Sequence, residues 1–199
     1  MFAAIRHRNI LVSHPYESFS ASVERFVREA AADERVLSLK MTVYRVGDRT
    51  PIIPLLVQAA NLGKQVVCLV ELMARFEEER NIQFAQKLED AGVHVIYGIP
   101  GLKTHAKTLL VVREESDGIR CYAHIGTGNY NTETAALYTD LGFFTCDPRY
   151  TGELMHLFNF LSGRSRKEDY RTLLIAPLTM EKAFLGMIDG EIDRATMLA

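Results

Sequence analysis

The sequence predicts an α/β domain with a mixed central sheet flanked by helices. Three observations carry that prediction. Short apolar runs alternate with segments whose apolar residues recur at helical spacing. Two of the runs, Lys64 to Leu72 (KQVVCLVEL) and Val93 to Tyr97, are almost continuously apolar, as strands covered on both faces are. Finally, Thr104 to Arg113 and Ile119 to Ile125 flank the polar stretch Glu114-Glu115-Ser116-Asp117-Gly118. That is the pattern of a β-hairpin, and it makes the sheet partly antiparallel.

The elements follow in order. Val36 to Val46 (VLSLKMTVYRV) has strand character. Ile52 to Leu62 reads as a helix closed by Gly63 at the first position past its end, where a left-handed residue is needed. Lys64 to Leu72 is a central strand. Glu77 to Ala91 carries Ile82, Phe84, Ala85 and Leu88 on one helical face and stops at Gly92. Val93 to Tyr97 is a buried strand, and the hairpin follows. Thr132 to Tyr138 is a short helix and Leu141 to Thr145 a short strand. Leu154 to Leu161 (LMHLFNFL) is an amphipathic helix before the polar stretch Ser162 to Asp169, a loop or hinge. Leu173 to Ala176 reads as a last strand, broken by Pro177. A helix from Met180 to about Ile192 ends the pattern. The tail from Asp189 to Ala199 has little to bury and is expected to pack poorly.

The totals place these elements in one domain spanning residues 1–199. Hydrophobic residues make up 48% and charged residues 24%, as in a globular protein with a full core. A net charge of −2 argues against bulk electrostatic capture of nucleic acid. No apolar run reaches the roughly 18 residues of a membrane span. Arg6, His7 and Arg8 precede no apolar signal core. Cys68, Cys121 and Cys146 are an odd number without metal-ligand spacing, which suits small core residues in a reducing, cytoplasmic setting, at most peripheral to a membrane.

Gly101-Leu102-Lys103-Thr104-His105-Ala106-Lys107 carries the chemistry. A lone strand histidine is ordinarily a core or edge residue. Here Lys103, His105 and Lys107 alternate, so on a strand all three share one face. A structural strand has no use for two ammonium groups around an imidazole. Those charges disfavour the imidazolium and keep the ring neutral, as a nucleophile requires. The pairing suits a phosphorus centre: a nitrogen to attack it and positive charge to hold its oxygens. The turn Gly126-Thr127-Gly128-Asn129 closes the next run and offers backbone N–H donors, although such turns often only reverse the chain. Arg45 and Arg75 follow the predicted ends of two strands, the edge where α/β sheets bind ligands, and guanidinium forks suit phosphate. Glu77, Glu78 and Glu79 beside Arg75 offer it an ordinary ion pair instead. Asp140 is placed to hold the second nitrogen of His105 and fix its tautomer. Tyr138 reads equally as a ring stacked on a nucleotide base and as a core tyrosine. His14 and His124 read as structural.

Taken together, these strings resemble the long, multidomain bacterial polyphosphate kinases. The matching pieces are His14-Pro15-Tyr16-Glu17-Ser18-Phe19, Thr42-Val43-Tyr44-Arg45 and Val70-Glu71-Leu72-Met73-Ala74-Arg75-Phe76-Glu77-Glu78. Ala91-Gly92-Val93-His94-Val95-Ile96-Tyr97-Gly98, the His105 segment, His124-Ile125-Gly126-Thr127-Gly128-Asn129-Tyr130-Asn131 and Leu137-Tyr138-Thr139-Asp140 complete the set. They fall in order and cover nearly the whole chain. The resemblance implies a phospholipase D-like fold, the first of two such catalytic domains. It implies that His105 becomes phosphorylated, that Arg45 and Arg75 belong to a magnesium–phosphate site, and that Tyr138 contacts ATP. Arginine is a poor ligand for a hard cation, so these two read mainly as phosphate clamps beside Mg²⁺. ATP and polyphosphate are the implied substrates, and the family's other domains, or further copies of the chain, the implied partners.

One departure concerns the phospholipase D pattern, which expects an aspartate five residues after Lys107, where this chain has Val112. That weakens a phosphodiesterase or nuclease reading of the same His-Lys pair. The family's second catalytic domain supplies a further histidine and arginine to the site. The chain is therefore expected to be a fragment, inactive alone, with a non-catalytic polyphosphate-binding role as the remaining alternative.

Overall fold

The computed structural model describes residues 1–44, 50–71, 78–99, 101–166 and 169–197. Helix α1 (Phe2–His7) leads into strand β1 (Ile10–His14). A π-helical turn at Ser20–Glu24 runs into α2 (Arg25–Ala32), and β2 (Val36–Val43) follows. Then come α3 (Ile52–Asn61), β3 (Gln65–Val70), α4 (Glu78–Asp90) and β4 (His94–Ile96). The hairpin is β5 (Lys107–Glu115) and β6 (Gly118–Gly126). Short helix α5 (Thr132–Ala135), β7 (Asp140–Thr145), α6 (Pro148–Leu161) and α7 (Met180–Met197) complete the chain.

The seven strands form one mixed sheet in the order β1-β7-β6-β5-β2-β3-β4. β2, β3 and β4 are mutually parallel; every other pairing is antiparallel. β1, β2, β3, β4 and β6 therefore finish at the edge where β5 and β7 start. Alternation along the strands divides the core in two. Leu109 and Val111 of β5 and Tyr122 of β6 join a large cluster with Phe2, Phe26, Leu39 and Leu56. Leu110 and Ala123, one residue out of phase, pack against Leu154, Leu157 and Phe158 of α6. The sheet is thus covered on both faces, which is why its central strands read as continuous apolar runs.

Several expectations change in detail. The hairpin loop is tighter than its polar composition suggests: Glu115 pairs with Gly118, leaving a two-residue turn, and Gly118 takes φ +117°. β4 is an edge strand with His94 exposed, not a buried one. Leu173 to Ala176 is not a strand. The Glu153 carboxylate of α6 accepts from the backbone N–H of Arg171, Thr172 and Leu173, and the Thr179 hydroxyl accepts from Ile175 N, so those donors never reach the sheet. β5 starts at Lys107, so Lys103 and His105 precede it rather than lie on it. The Thr42 hydroxyl donates to Ala106 O at 2.7 Å and accepts from Thr108 N at 3.0 Å, taking over where the β2–β5 ladder ends at Met41 and Leu109. Ser162 to Asp169 contains no strand or helix among its described residues beyond the turn that ends α6. α7 has no buried residue.

At the far end of the sheet, Arg113 is buried against two carboxylates, Asp33 at 2.9 Å and Glu115 at 2.6 Å. Glu115 also accepts from the Tyr122 hydroxyl. Removing the guanidinium takes the near cation from both carboxylates and leaves only the longer contacts of Arg6 to Glu115 at 3.6 Å and Arg35 to Asp33 at 3.9 Å. Arg113→Leu should therefore lower the unfolding free energy by about 3–5 kcal/mol, read from urea titration of the chain. A loss well below 1 kcal/mol would show that the network is not what closes this end.

Candidate functional site

The site sits at the edge where five strands finish and two begin. β2 delivers Tyr44 just past Val43, β3 delivers Glu71 just past Val70, and β5 opens with Lys107. Across the ladder Lys107 pairs with Gly126, so the Gly126–Asn129 turn lies beside the start of β5. Thr127 N donates to Leu141 O and ties the turn to β7.

Lys107 is buried and His105 exposed. Their nitrogens nevertheless meet: Lys107 Nζ lies 2.9 Å from His105 Nδ1 and 2.5 Å from His105 O. A charged ammonium is a donor only, so Nδ1 takes part as an acceptor and the ring is neutral in this contact. Tyr44 sets the ring from the other side, edge to face at 5.0 Å and 78°. The same tyrosine carries both ammonium groups near its face, Lys107 Nζ at 5.4 Å and Lys103 Nζ at 5.9 Å from the ring centroid. The approach to His105 is fixed from below. The buried carboxylate of Glu71 accepts from Thr104 N at 2.7 Å. Asn81, fully buried on α4, donates through Nδ2 to the carbonyls of Tyr44 and Glu71 and joins the two strand ends. Beside His105 opens a groove of about 380 Å³ with Lys103 and Thr104 at its rim and Leu157, Phe160 and Ile175 on its wall.

The Gly126–Asn129 turn is built around two side chains. A Cβ on Gly128 would stand 2.4 Å from Asp140 Oδ2, and one on Gly126 would stand 2.9 Å from the His124 ring. Neither glycine is at positive φ. They are required for space rather than for backbone freedom, a reason the sequence pattern did not reveal. Asp140 Oδ1 accepts from the Thr127 hydroxyl at 2.7 Å, and it makes no hydrogen bond to His105. Its observed partner is the turn, because its own position at the start of β7 faces Thr127. His14 and His124 are buried, as their structural reading expects. Burial, helped by neighbouring His14, pushes the His124 imidazole down to about 3. Tyr138 is exposed, which excludes the core alternative for that ring. Arg45 and Arg75 lie outside the described residues.

Tyr44, Glu71 and Asn81 are site-building residues that the sequence reading did not single out. Tyr44 was signalled by its place directly before Arg45 at a strand end. Asn81 left no signal, since its partners lie 10 and 37 residues away. No cluster of three or more His, Cys, Asp or Glu able to hold a metal occurs among the described residues. Among the described residues, the charged groups around His105 are Lys103, Lys107 and the Glu71 carboxylate, which accepts from Thr104 N. These described residues alone do not fit a protein-held Mg²⁺ ion, which takes oxygen ligands.

A family model, that of the polyphosphate kinase C-terminal domain 1, matches residues 1–167. The chain belongs to that family. The polyphosphate kinase of Synechocystis sp. is 56% identical over 193 residues, which are 97% of this chain and 26% of the relative. The crystal structure of polyphosphate kinase from Porphyromonas gingivalis superposes with a TM-score of 0.86 at 34% identity, covering 98% of this chain and 32% of that one. The chain thus spans about a quarter of the length of the curated relatives it matches. Nuc, a phospholipase D family member from Salmonella typhimurium, superposes with a TM-score of 0.59 at 14% identity, over 82% of this chain and 98% of that one. That likeness establishes a phospholipase D-like fold. Among the described residues no helix is long and apolar enough to cross a membrane.

Two measurements test this geometry. Gly128→Ala should destabilise the chain by about 1–3 kcal/mol, as overpacking does. Combined with Asp140→Ala it should cost less than the sum of the two single changes, with a coupling of about 1 kcal/mol or more; additivity would mean that Asp140 does not dictate the glycine. The second is pH dependence. The folded state disfavours protonated His124, while the unfolded chain takes up that proton near pH 6.5. The contribution is full above that pH and is lost as pH falls towards 3. Between pH 7.5 and 5 the chain should lose about 2 kcal/mol of stability by this route, before carboxylates titrate, and His124→Asn should remove that slope.

Proposed function

We propose that this chain forms one wall of a polyphosphate kinase active site in which His105 is the phosphoryl acceptor. The Lys107–His105 contact, in a chain of this family, carries the reading. The neutral imidazole stands at an exposed position between Tyr44 and Lys107; its one ring lone pair is on Nδ1, and it is released to phosphorus when the Lys107 ammonium turns from Nδ1 to the phosphate oxygens. In the proposed step that lone pair forms an N–P bond to the terminal phosphorus of ATP, the bond to the bridging oxygen breaks, and ADP leaves. The phosphoryl group then passes to a terminal oxygen of polyphosphate, with the N–P bond breaking, and the sequence runs in either direction.

Lys103 and Lys107 place positive charge beside the transferred group, and Arg45 and Arg75 would add guanidinium donors. Gly126, Thr127, Gly128 and Asn129 bring a turn to the same edge to contact the phosphates, and Tyr138 offers an exposed ring to the nucleotide. Asp140 serves by holding the turn. Magnesium in this reading is held by the phosphate oxygens of the nucleotide and enters as part of the substrate. The groove beside His105 has the size and apolar wall of a small-molecule site. Other parts of the longer enzyme would complete the enclosure, so this chain alone should synthesise little or no polyphosphate.

The test uses the full-length enzyme with ATP labelled at its terminal phosphate. His105→Ala should abolish the acid-labile phosphoenzyme and synthesis together. Arg45→Ala and Arg75→Ala should each lower turnover by ~10²-fold or more while leaving His105 in place. Near-normal turnover of His105→Ala would remove the nucleophile assignment.

A further inference from the structure

Behind the Gly126–Asn129 turn lies a cavity of about 10 Å³, bordered by His14, His124, Gly126, Asn129 and Asp140. Three buried side-chain atoms on its lining residues have no hydrogen-bond partner among the described residues: His14 Nε2, His124 Nε2 and Asn129 Oδ1. Folded proteins leave few such atoms, and three at one cavity point to a shared partner. The three do not bond to one another. The volume is that of a single water, and the lining offers the polar contacts a buried water needs.

The protons can be assigned from the other end of each ring. His14 Nδ1 lies 2.7 Å from Glu17 O, a carbonyl that only accepts, so Nδ1 carries hydrogen and Nε2 of the neutral ring is an acceptor. His124 Nδ1 lies 2.9 Å from the Tyr130 hydroxyl. That buried hydroxyl has no other hydrogen-bond partner among the described residues, and burial holds it well above the usual tyrosine range, as a phenol. If it donates, His124 Nδ1 accepts and Nε2 carries the proton. The opposite tautomer would strand the phenol proton and leave three acceptors around the cavity, one more than a water can serve. With Nε2–H on His124 the count closes: one donor and two acceptors face the cavity.

We propose that this cavity binds one water molecule, which accepts from His124 Nε2–H and donates to His14 Nε2 and Asn129 Oδ1, making both histidines positioning residues for the Gly126–Asn129 turn. The water joins β1, β6 and the turn, three segments that no direct side-chain bond connects here. Asp140 also borders the cavity, but its Oδ1 already takes the Thr127 hydroxyl. A cation in this space would have the Asp140 carboxylate near it, but Nε2–H on His124 offers it no lone pair, and His14, His124 and Asp140 do not come together as a metal-ligating group. The inference does not depend on the phosphoryl-transfer reading.

The test is a crystal structure at a resolution that shows ordered water, paired with ¹⁵N NMR of histidine-labelled protein. One water within about 2.7–3.2 Å of all three atoms, with His14 as the Nδ1–H and His124 as the Nε2–H tautomer, is the expected result. An empty cavity, a metal ion, a direct ring-to-ring bond or the Nδ1–H form of His124 would overturn it. His14→Leu should then speed amide exchange at Thr127 by ~10-fold or more while the β3 amides keep their protection, because only the local link is cut. Uniform acceleration, or none at Thr127, would leave His14 without a positioning role.

Discussion

The direction of β5 is the constraint on which this molecule depends. It runs antiparallel to β2 in the middle of the sheet, so its first residue meets the last residues of its neighbours. A parallel β5 would have sent Lys107, and His105 with it, to the opposite edge. Antiparallel placement puts the imidazole among strand ends, where chains part and backbone groups are not all consumed by the ladder. The Thr42 hydroxyl finishes the job by bonding the backbone on both sides of Lys107, which frees the preceding residues to turn outward.

Charge is handled differently at the two edges. At the closed end, Arg113 pairs with Asp33 and Glu115, Arg6 adds a second cation to Glu115, and the network rigidifies the return of the chain. At the site end, Lys103 and Lys107 gather around an aromatic face and a neutral imidazole, with Glu71 spent on a backbone N–H. Within the same edge, the cluster of His14, His124 and Tyr130 keeps the His124 imidazole uncharged and inside.

How much of this could be read from sequence follows from the range of each cause. Gly63 closing α3, the presence of the β5–β6 hairpin and the apolar central strands are local in origin, and they were legible; the tightness of the hairpin's turn was not. Asp147 before Pro148 marks the true start of α6, with Asp147 accepting from Arg149 N, a signal that was present and went unused. The same holds for α2, whose buried Phe26, Val27, Ala30 and Ala31 recur at helical spacing. What could not be read was non-local. Moving His105 off the strand depends on Thr42, 64 residues before Ala106. The glycines of the turn answer to Asp140 and to the His124 ring, not to a phosphate alone. Asp140 looked like a partner for His105 because strand order was unknown; β5 and β7 are separated by β6.

The long helix α7 stands apart from these arguments. Phe184, Leu185, Met187, Ile188 and Ile192 are all exposed along it, and Gly186 and Gly190 interrupt its interior. Each such glycine costs about 1 kcal/mol relative to alanine, and no buried contact offsets that. A helix held by its own hydrogen bonds alone does not share the cooperativity of the sheet. Its melting is therefore a separate event from that of the sheet. On heating, helical circular dichroism should begin to fall while the aromatic signal of the Phe26–Phe144 core is still intact, so a single transition temperature does not describe this chain.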